Sequence, residues 1–273
     1  MNIKSFVPLS IKRRLKKLFH SDSEKEAGQN LIYYCPACDS KLGYFNPLSS
    51  LYEENKKKYG WLYTYDDTET INPQQYSCPV CGASDRDRLY SLYLKEKFQK
   101  VDLSERPLLI EFAPSRPLQK FIKKHNVNYR TADLYMEDVD DKLDLMDMHT
   151  YPDNYCDIFI CSHILEHVSD DKKALRELYR ILKPGGWGIL MVPINLRNKE
   201  IDEDPSVIDM GERWRRFGQD DHVRLYNKKG FMDRVKQAGF KLIALDRNYF
   251  KEIEFLRCGI TERSVLYIVE KND

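Results

Sequence analysis

The chain has 273 residues, 42% of them hydrophobic and 32% charged, which is enough apolar material for one large domain, or a medium domain with a small appendage. No apolar run approaches the ~20 residues that cross a bilayer, so no spanning helix is expected. The formal net charge of +1 hides an asymmetry. Residues 1–20 carry six Lys/Arg and no acid, leaving 38 basic against 43 acidic residues in the rest, and a body of net charge −5 disfavours a large nucleic-acid footprint.

The start, MNIKSFVPLSIKRRLKKLFH, has no uninterrupted apolar stretch followed by a small-residue cleavage site, so a cytoplasmic chain is expected. As a helix, residues 9–19 would bring Leu9, Ile11, Leu15, Leu18 and Phe19 near one face among basic neighbours. That pattern fits reversible, peripheral contact of residues 1–20 with an anionic membrane surface. A solvated terminal helix is the alternative. Residues 21–30 read as a polar linker.

Residues 31–84 hold two Cys-Pro-x-Cys knuckles, Cys35/Cys38 and Cys78/Cys81, separated by 39 residues. Each short turn offers two thiolates, and four soft ligands in tetrahedral geometry favour zinc. Four thiolates leave no open coordination position, so the expected role is structural. The long spacing costs little loop entropy and leaves room for structure between the knuckles, where Tyr52, Tyr59, Trp61, Tyr63 and Tyr65 are found. Cys156, Cys161 and Cys258 lie outside this set and are expected to be buried or inert.

Residues 85–106 read as a linker helix, with Leu89, Leu92, Tyr93 and Phe98 at near-helical spacing over 86–98. From residue 107 onward strands and helices alternate. Leu108–Phe112 is a buried strand by composition, Pro117–His125 a helix, and Asn128–Leu134 a second strand ending in an acid, Asp133. Lys142–Met148 is a short strand or loop. Tyr155–Pro193 then reads as strand, amphipathic crossover helix, Lys-Pro-Gly-Gly turn and strand, which requires a parallel sheet. A polar insertion, residues 195–224, has the length of a lid or binding loop. Asn227–Ala238 is a helix closed by Gly239, and Lys241–Asp246 and Val265–Val269 are final strands.

Ligands of such sheets gather at the carboxyl ends of the strands, where Asp133 is placed to accept from ribose hydroxyls. No G-x-G-x-x-G follows the first strand; the turn is Glu111-Phe112-Ala113-Pro114-Ser115-Arg116. A pyrophosphate needs close backbone approach and free amide donors, and Pro114 removes one. The cofactor expected is therefore a nucleoside with one ribose rather than NAD.

The residues that carry a family resemblance are now in place. Asp133, Asp144-Leu145, DIFICSHILEHVSDD, ALRELYRILKPGGWGILMVP and the closing QAGF helix with its strands span Leu108–Lys271. This segment resembles the class I S-adenosylmethionine-dependent methyltransferases, specifically the "methyltransferase type 11" group. It departs from them at the first turn, where a Gly-rich motif is usual. The paired knuckles, the hydrophobic-Ala-Pro turn and FGQDDHVR further resemble a subgroup associated with surface-glycan biosynthesis. The resemblance implies a Rossmann-like, seven-stranded, mainly parallel sheet with helices on both faces, preceded by a small zinc-ribbon-like module. It implies S-adenosylmethionine as cofactor, with Glu111, Ala113 and Pro114 beside its methionine part. Asp133 and Leu134 would meet the ribose, Asp144 and Leu145 the adenine, and Ser162 and His163 the sulfonium and substrate.

His163 and His167 share a helical face and, with Glu166, could form a metal site or a general base. His167 is placed with the substrate, or else packs as a helix start. His163 stands where metal-dependent relatives carry an acid, so no catalytic metal is expected. In the insertion, Phe217–Arg224 is dense in charge, and His222 oriented by Asp221 is the expected base for a hydroxyl proton. Arg224 with Arg215 or Arg216 would hold an anionic substrate group. The expected activity is O-methylation of a sugar hydroxyl or phosphate of a glycan or small-molecule acceptor. A ribosomal-RNA methyltransferase with a zinc module and a non-catalytic zinc-ribbon adaptor are the alternatives.

Overall fold

A computed structural model describes residues 32–272. The membrane contact expected of residues 1–20 and the linker at 21–30 lie outside the described residues. No described helix is long and apolar enough to cross a membrane.

The first knuckle is a hairpin of β1 (Tyr33–Cys35) and β2 (Ser40–Leu42). After it come α1 (Ser50–Lys58) and a short turn at Tyr65–Asp67. Helix α2 (Asp85–Lys100) begins at a reciprocal cap, in which Ser84 Oγ accepts from the Asp87 N–H while Asp87 accepts from the Ser84 N–H.

The main sheet has seven strands. In chain order they are β3 (Leu108–Phe112), β4 (Asn128–Asp133), β5 (Asp141–Lys142), β6 (Cys156–Ser162), β7 (Leu182–Met191), β10 (Lys241–Leu245) and β11 (Leu266–Glu270). Their spatial order is β10-β11-β7-β6-β3-β4-β5, with β11 antiparallel to both neighbours and the remaining pairs parallel. Helices α3 (Arg116–Ile122), α4 (Asp171–Ile181) and α6 (Lys228–Gln237) join these strands, and α7 (Arg247–Phe250) and α8 (Glu252–Arg257) precede β11. The mainly parallel sheet is the expected Rossmann-like architecture. Its central strands are apolar on both faces, as Leu109, Ile110, Phe159, Ile160, Ile189 and Leu190 show.

Two boundaries differ from expectation. The third strand shrinks to Asp141–Lys142, because Asp144 accepts from the Met146 N–H and turns the chain away. The Lys-Pro-Gly-Gly segment is no separate turn: β7 starts at Leu182 and carries a register shift against Cys156–Ile158. Gly186 permits this, since a Cβ there would lie 2.8–2.9 Å from the carbonyls of Lys183 and Asp157.

The stretch between the knuckles does not stand apart. Residues 195–224 contain β8 (Asp202–Glu203) and α5 (Met210–Phe217), and β8 pairs with β9 (Arg224–Leu225). Against α5 lies α1, with Trp214 stacked on Tyr59 at 6.3 Å between ring centres. Buried Glu69 accepts from Lys228 at 2.8 Å and from Tyr267 at 2.7 Å. Arg88, fully buried, donates to the carbonyls of Gln75, Tyr76, Ala83, Cys258 and Gly259, and its guanidinium stacks on Phe45. Every N–H of that guanidinium is thereby used, and the cysteine segment is tied to the chain's end.

Candidate functional site

Chain order runs outward from β3 in both directions, so the sheet reverses between β3 and β6. The crevice at that point is where a ligand fits. There a cleft of about 570 Å³ opens over the carboxyl ends of β3, β4 and β6. Ala113, Asp133, Leu134, Asp144, Leu145, His163, His167 and Asp221 line it. Asp133 Oδ1 accepts from the backbone of Tyr135 (2.6 Å) and Met136 (2.7 Å), which fixes the carboxylate and leaves Oδ2 for a ligand. Asp144 is held alike by the Met146 N–H at 2.8 Å. Leu145 is buried and supplies an apolar wall.

The first turn reaches its shape without glycine. Ala113 has φ +48° and its N–H donates to the Ala132 carbonyl at 2.9 Å. A left-handed alanine costs roughly 1 kcal/mol. Pro114 is buried and lines neither this cleft nor the chamber beside it. Glu111 faces that side chamber, of about 320 Å³, instead of the cleft. Its carboxyl is pushed up to about 7 by burial, against the pull of hydrogen bonds from Tyr129 and the Ser115 N–H. Ser162 is in the same chamber, bonded to the Tyr90 hydroxyl at 2.7 Å.

A third cavity, about 120 Å³, lies between the inter-knuckle segment and the insertion. Arg86 and His163 line both it and the side chamber, and His163 also lines the cleft, so the three spaces meet there. Lys56 Nζ sits 3.5 Å above the Trp61 ring and 3.9 Å above that of Tyr65, and burial lowers its pKa to about 7. The buried indole N–H of Trp61 and the Tyr65 hydroxyl have no partner among the described residues. The Arg86 guanidinium reaches the same spaces in the field of Asp85 and Asp87. Sequence reasoning missed this set. Arg86 and Tyr90 are four apart and share a helix face, a signal present in RDRLY, whereas Lys56, Trp61 and Tyr65 carried none.

The insertion is arranged differently from its expectation. His222 is 2% exposed and lines none of these cavities, and Asp221 pairs with His167 (Oδ2 to Nδ1, 3.3 Å) rather than orienting His222. Arg224 is 1% exposed and is no substrate arginine: it donates to the carbonyls of Leu165, Val168 and Ser169 and pairs with Glu203. These carbonyls end the turn after β6 and need donors, which explains the burial. Arg215 pairs with Glu212 and Arg216 with Asp202 and Asp204, so both are engaged within the insertion.

At the cysteines, Cys35 Sγ lies 3.7 Å from Cys81 Sγ, and Cys38 Sγ lies 3.9 Å from Cys78 Sγ. The four sulfurs are all within 4.8 Å of one another. A tetrahedron with ~2.3 Å metal–sulfur bonds has edges of about 3.8 Å, so the set has the right size for one ion. Cys156, Cys161 and Cys258 are buried apart from it, and burial raises each thiol.

The chain is similar to several known proteins. A 36-residue stretch is 53% identical to the ubiquinone/menaquinone biosynthesis C-methyltransferase UbiE of Vibrio cholerae, over 13% of this chain and 14% of that protein. A 37-residue stretch is 54% identical to UbiE of Hydrogenovibrio crunogenus, over 14% and 15%. The chain thus matches only about a seventh of these relatives' length. Among solved structures, a SAM-dependent methyltransferase from Archaeoglobus fulgidus is similar at TM-score 0.44 and 13% identity, covering 68% of this chain and 94% of that one. An O-methyltransferase family protein from Burkholderia thailandensis gives 0.46 and 14%, covering 68% and 57%. A family model described as "Methyltransferase domain" matches residues 80–245. The chain belongs to that methyltransferase-domain family.

Proposed function

We propose that the enzyme O-methylates an oxygen-rich, anionic acceptor, a sugar hydroxyl or phosphate of a glycan or its precursor. One observation carries this reading: the cavities that meet the cleft at His163 present the Arg86 guanidinium and two buried donors without a partner, Trp61 Nε1 and Tyr65 OH, with Lys56 above two aromatic rings. Cationic donors suit phosphate, and aromatic faces suit the apolar face of a sugar.

S-adenosylmethionine supplies an electrophilic methyl group. For it the cleft offers Asp133 toward ribose hydroxyls and Asp144 with Leu145 toward adenine. In the transfer the acceptor loses its hydroxyl proton and its oxygen attacks the methyl carbon. The carbon–sulfur bond breaks, and the electron pair stays on sulfur as S-adenosylhomocysteine. His163 is the proton acceptor in this scheme, neutral because burial lowers its pKa, with Nε2 unpartnered. Alignment of oxygen and methyl supplies most of the remaining rate.

The four-cysteine cluster holds a structural zinc in this reading, as its sulfur spacing fits. Residues 1–20 would bring the enzyme to an anionic membrane surface where lipid-linked glycans are assembled. The test is methyl-labelled S-adenosylmethionine offered with sugar phosphates, nucleotide sugars and ribosomal RNA. Label in a sugar or phosphate ether or ester supports the proposal; label confined to RNA overturns it.

A further inference from the structure

Beneath the cleft floor, Glu166 is fully buried, and neither carboxylate oxygen has a hydrogen-bond partner that meets full geometric criteria. Three imidazoles surround it. His163 Nδ1 is 3.0 Å from Oε1, His167 Nε2 is 3.9 Å away and His222 Nε2 is 4.0 Å away. The last two distances are too long for hydrogen bonds.

The outer nitrogens explain why. His222 Nδ1 faces the Phe217 carbonyl at 3.3 Å, and a carbonyl only accepts, so Nδ1 carries the proton. His167 Nδ1 faces the Asp221 carboxylate at 3.3 Å and is protonated for the same reason. In its neutral ring His222 Nε2 therefore aims a lone pair at a buried carboxylate, and His167 Nε2 does the same whenever that ring is neutral. Lone pairs facing an anion repel, unless a cation lies between them. A carboxylate or carbonyl that fixes the tautomer of a histidine is the usual outer shell of a metal ligand.

We propose that Glu166, His167 and His222 bind one divalent transition-metal ion as a two-histidine, one-carboxylate site, distinct from the four-cysteine cluster. Their donor atoms lie within 4.8 Å of one another, and closing by half an ångström to one ångström reaches bonds of ~2.1 Å. Two nitrogens and an oxygen suit first-row ions such as Co(II), Mn(II), Fe(II) or Zn(II). This assignment departs from the expectation of no catalytic metal, which rested on His163 standing where metal-dependent relatives carry an acid. His167 also lines the cleft, whereas Glu166 and His222 are buried behind it, so the ion would act through His167, fixing that ring against the acceptor. That role rests on the O-methylation reading; the binding does not.

The test is cobalt stoichiometry. Metal-stripped, reduced chain is saturated with CoCl2, and bound metal is counted alongside the visible spectrum. The expected result is two equivalents, one giving thiolate charge-transfer absorption and one without it. Glu166→Gln and His167→Gln, the latter only partly buried, should each keep the thiolate-bound ion and lose the other. One equivalent in the parent chain, or two in both variants, overturns the proposal. Titration with S-adenosylhomocysteine on the same samples separates the two readings: one cobalt with intact cofactor binding refutes the site alone. Two cobalts without cofactor binding keep the site and refute the proposed function.

Discussion

Asp221 Oδ2 lies 3.3 Å from Nδ1 of His167, so the carboxylate adjacent to His222 in sequence orients a histidine 54 positions earlier. In the non-helical turn after α5, successive side chains diverge, and His222 turns inward while Asp221 stays at the rim. Asp221→Asn should weaken the pairing without a folding cost, since the side chain is 62% exposed. Cobalt affinity at the proposed histidine–carboxylate site should fall about 10- to 100-fold, as for other outer-shell partners. Competition with a chromogenic chelator measures it. Unchanged affinity would show that Asp221 orients nothing.

Arg86 and Asp133 should separate two kinds of loss. Arg86→Gln removes a charged donor from the acceptor side and should cut kcat/KM by roughly 10- to 100-fold, with S-adenosylhomocysteine affinity unchanged. Asp133→Asn should do the reverse, weakening S-adenosylhomocysteine by roughly 10-fold or more. Calorimetry and steady-state kinetics on the two variants distinguish the sides, and equal effects of Arg86→Gln on both would argue against its placement.

Glu111 gives a pH signature. Its folded pKa of about 7 lies above the 4.5 of the free side chain because burial penalises the charge. Its contribution to stability is therefore fully present below pH ~4.5 and is lost as pH rises through 7. The full difference is about 3 kcal/mol. Denaturant melts at pH 5 and pH 8 should show this decline in the parent chain and a flatter profile in Glu111→Gln. Parallel profiles would refute the burial argument.

Arg88→Met should be among the most damaging single changes. It leaves five buried or half-buried carbonyls without their donor and removes the guanidinium from the Phe45 face. About 3–5 kcal/mol of destabilisation follows, or a fall in Tm of roughly 10 °C. Thermal melts check it; a fall under 2 °C would mean the clamp is dispensable.

The sheet was legible because buried parallel strands read as apolar runs, so Leu108–Phe112 was placed to the residue, and the strand that opens Tyr155–Pro193 is found at Cys156–Ser162. Asp133 ends its strand as read and lines the cleft, whereas Asp144 and Leu145 reach it from the turn that cuts β5 short. Arg224 was not. A buried arginine capping the Leu165, Val168 and Ser169 carbonyls and a solvent-facing arginine awaiting a phosphate have the same sequence neighbourhood. Glu166 was grouped with His163 and His167 from the sequence, but the third histidine beside it becomes visible only when His222 arrives from 56 residues away. The role of residues 46–77 was invisible for a similar reason, since Glu69 meets Tyr267 across 198 positions.

That last relationship bears on how the protein is made. The two knuckles leave the ribosome well before Cys258, Gly259 and Tyr267 are synthesised, yet Arg88 and Glu69 complete their sets of partners only with those late residues. Until then a charged arginine and a carboxylate must stay hydrated, and the four-cysteine segment must wait half-assembled. That segment is thus translated before the residues that complete it, and cutting it off after residue 84 would yield a fragment rather than a transplantable module.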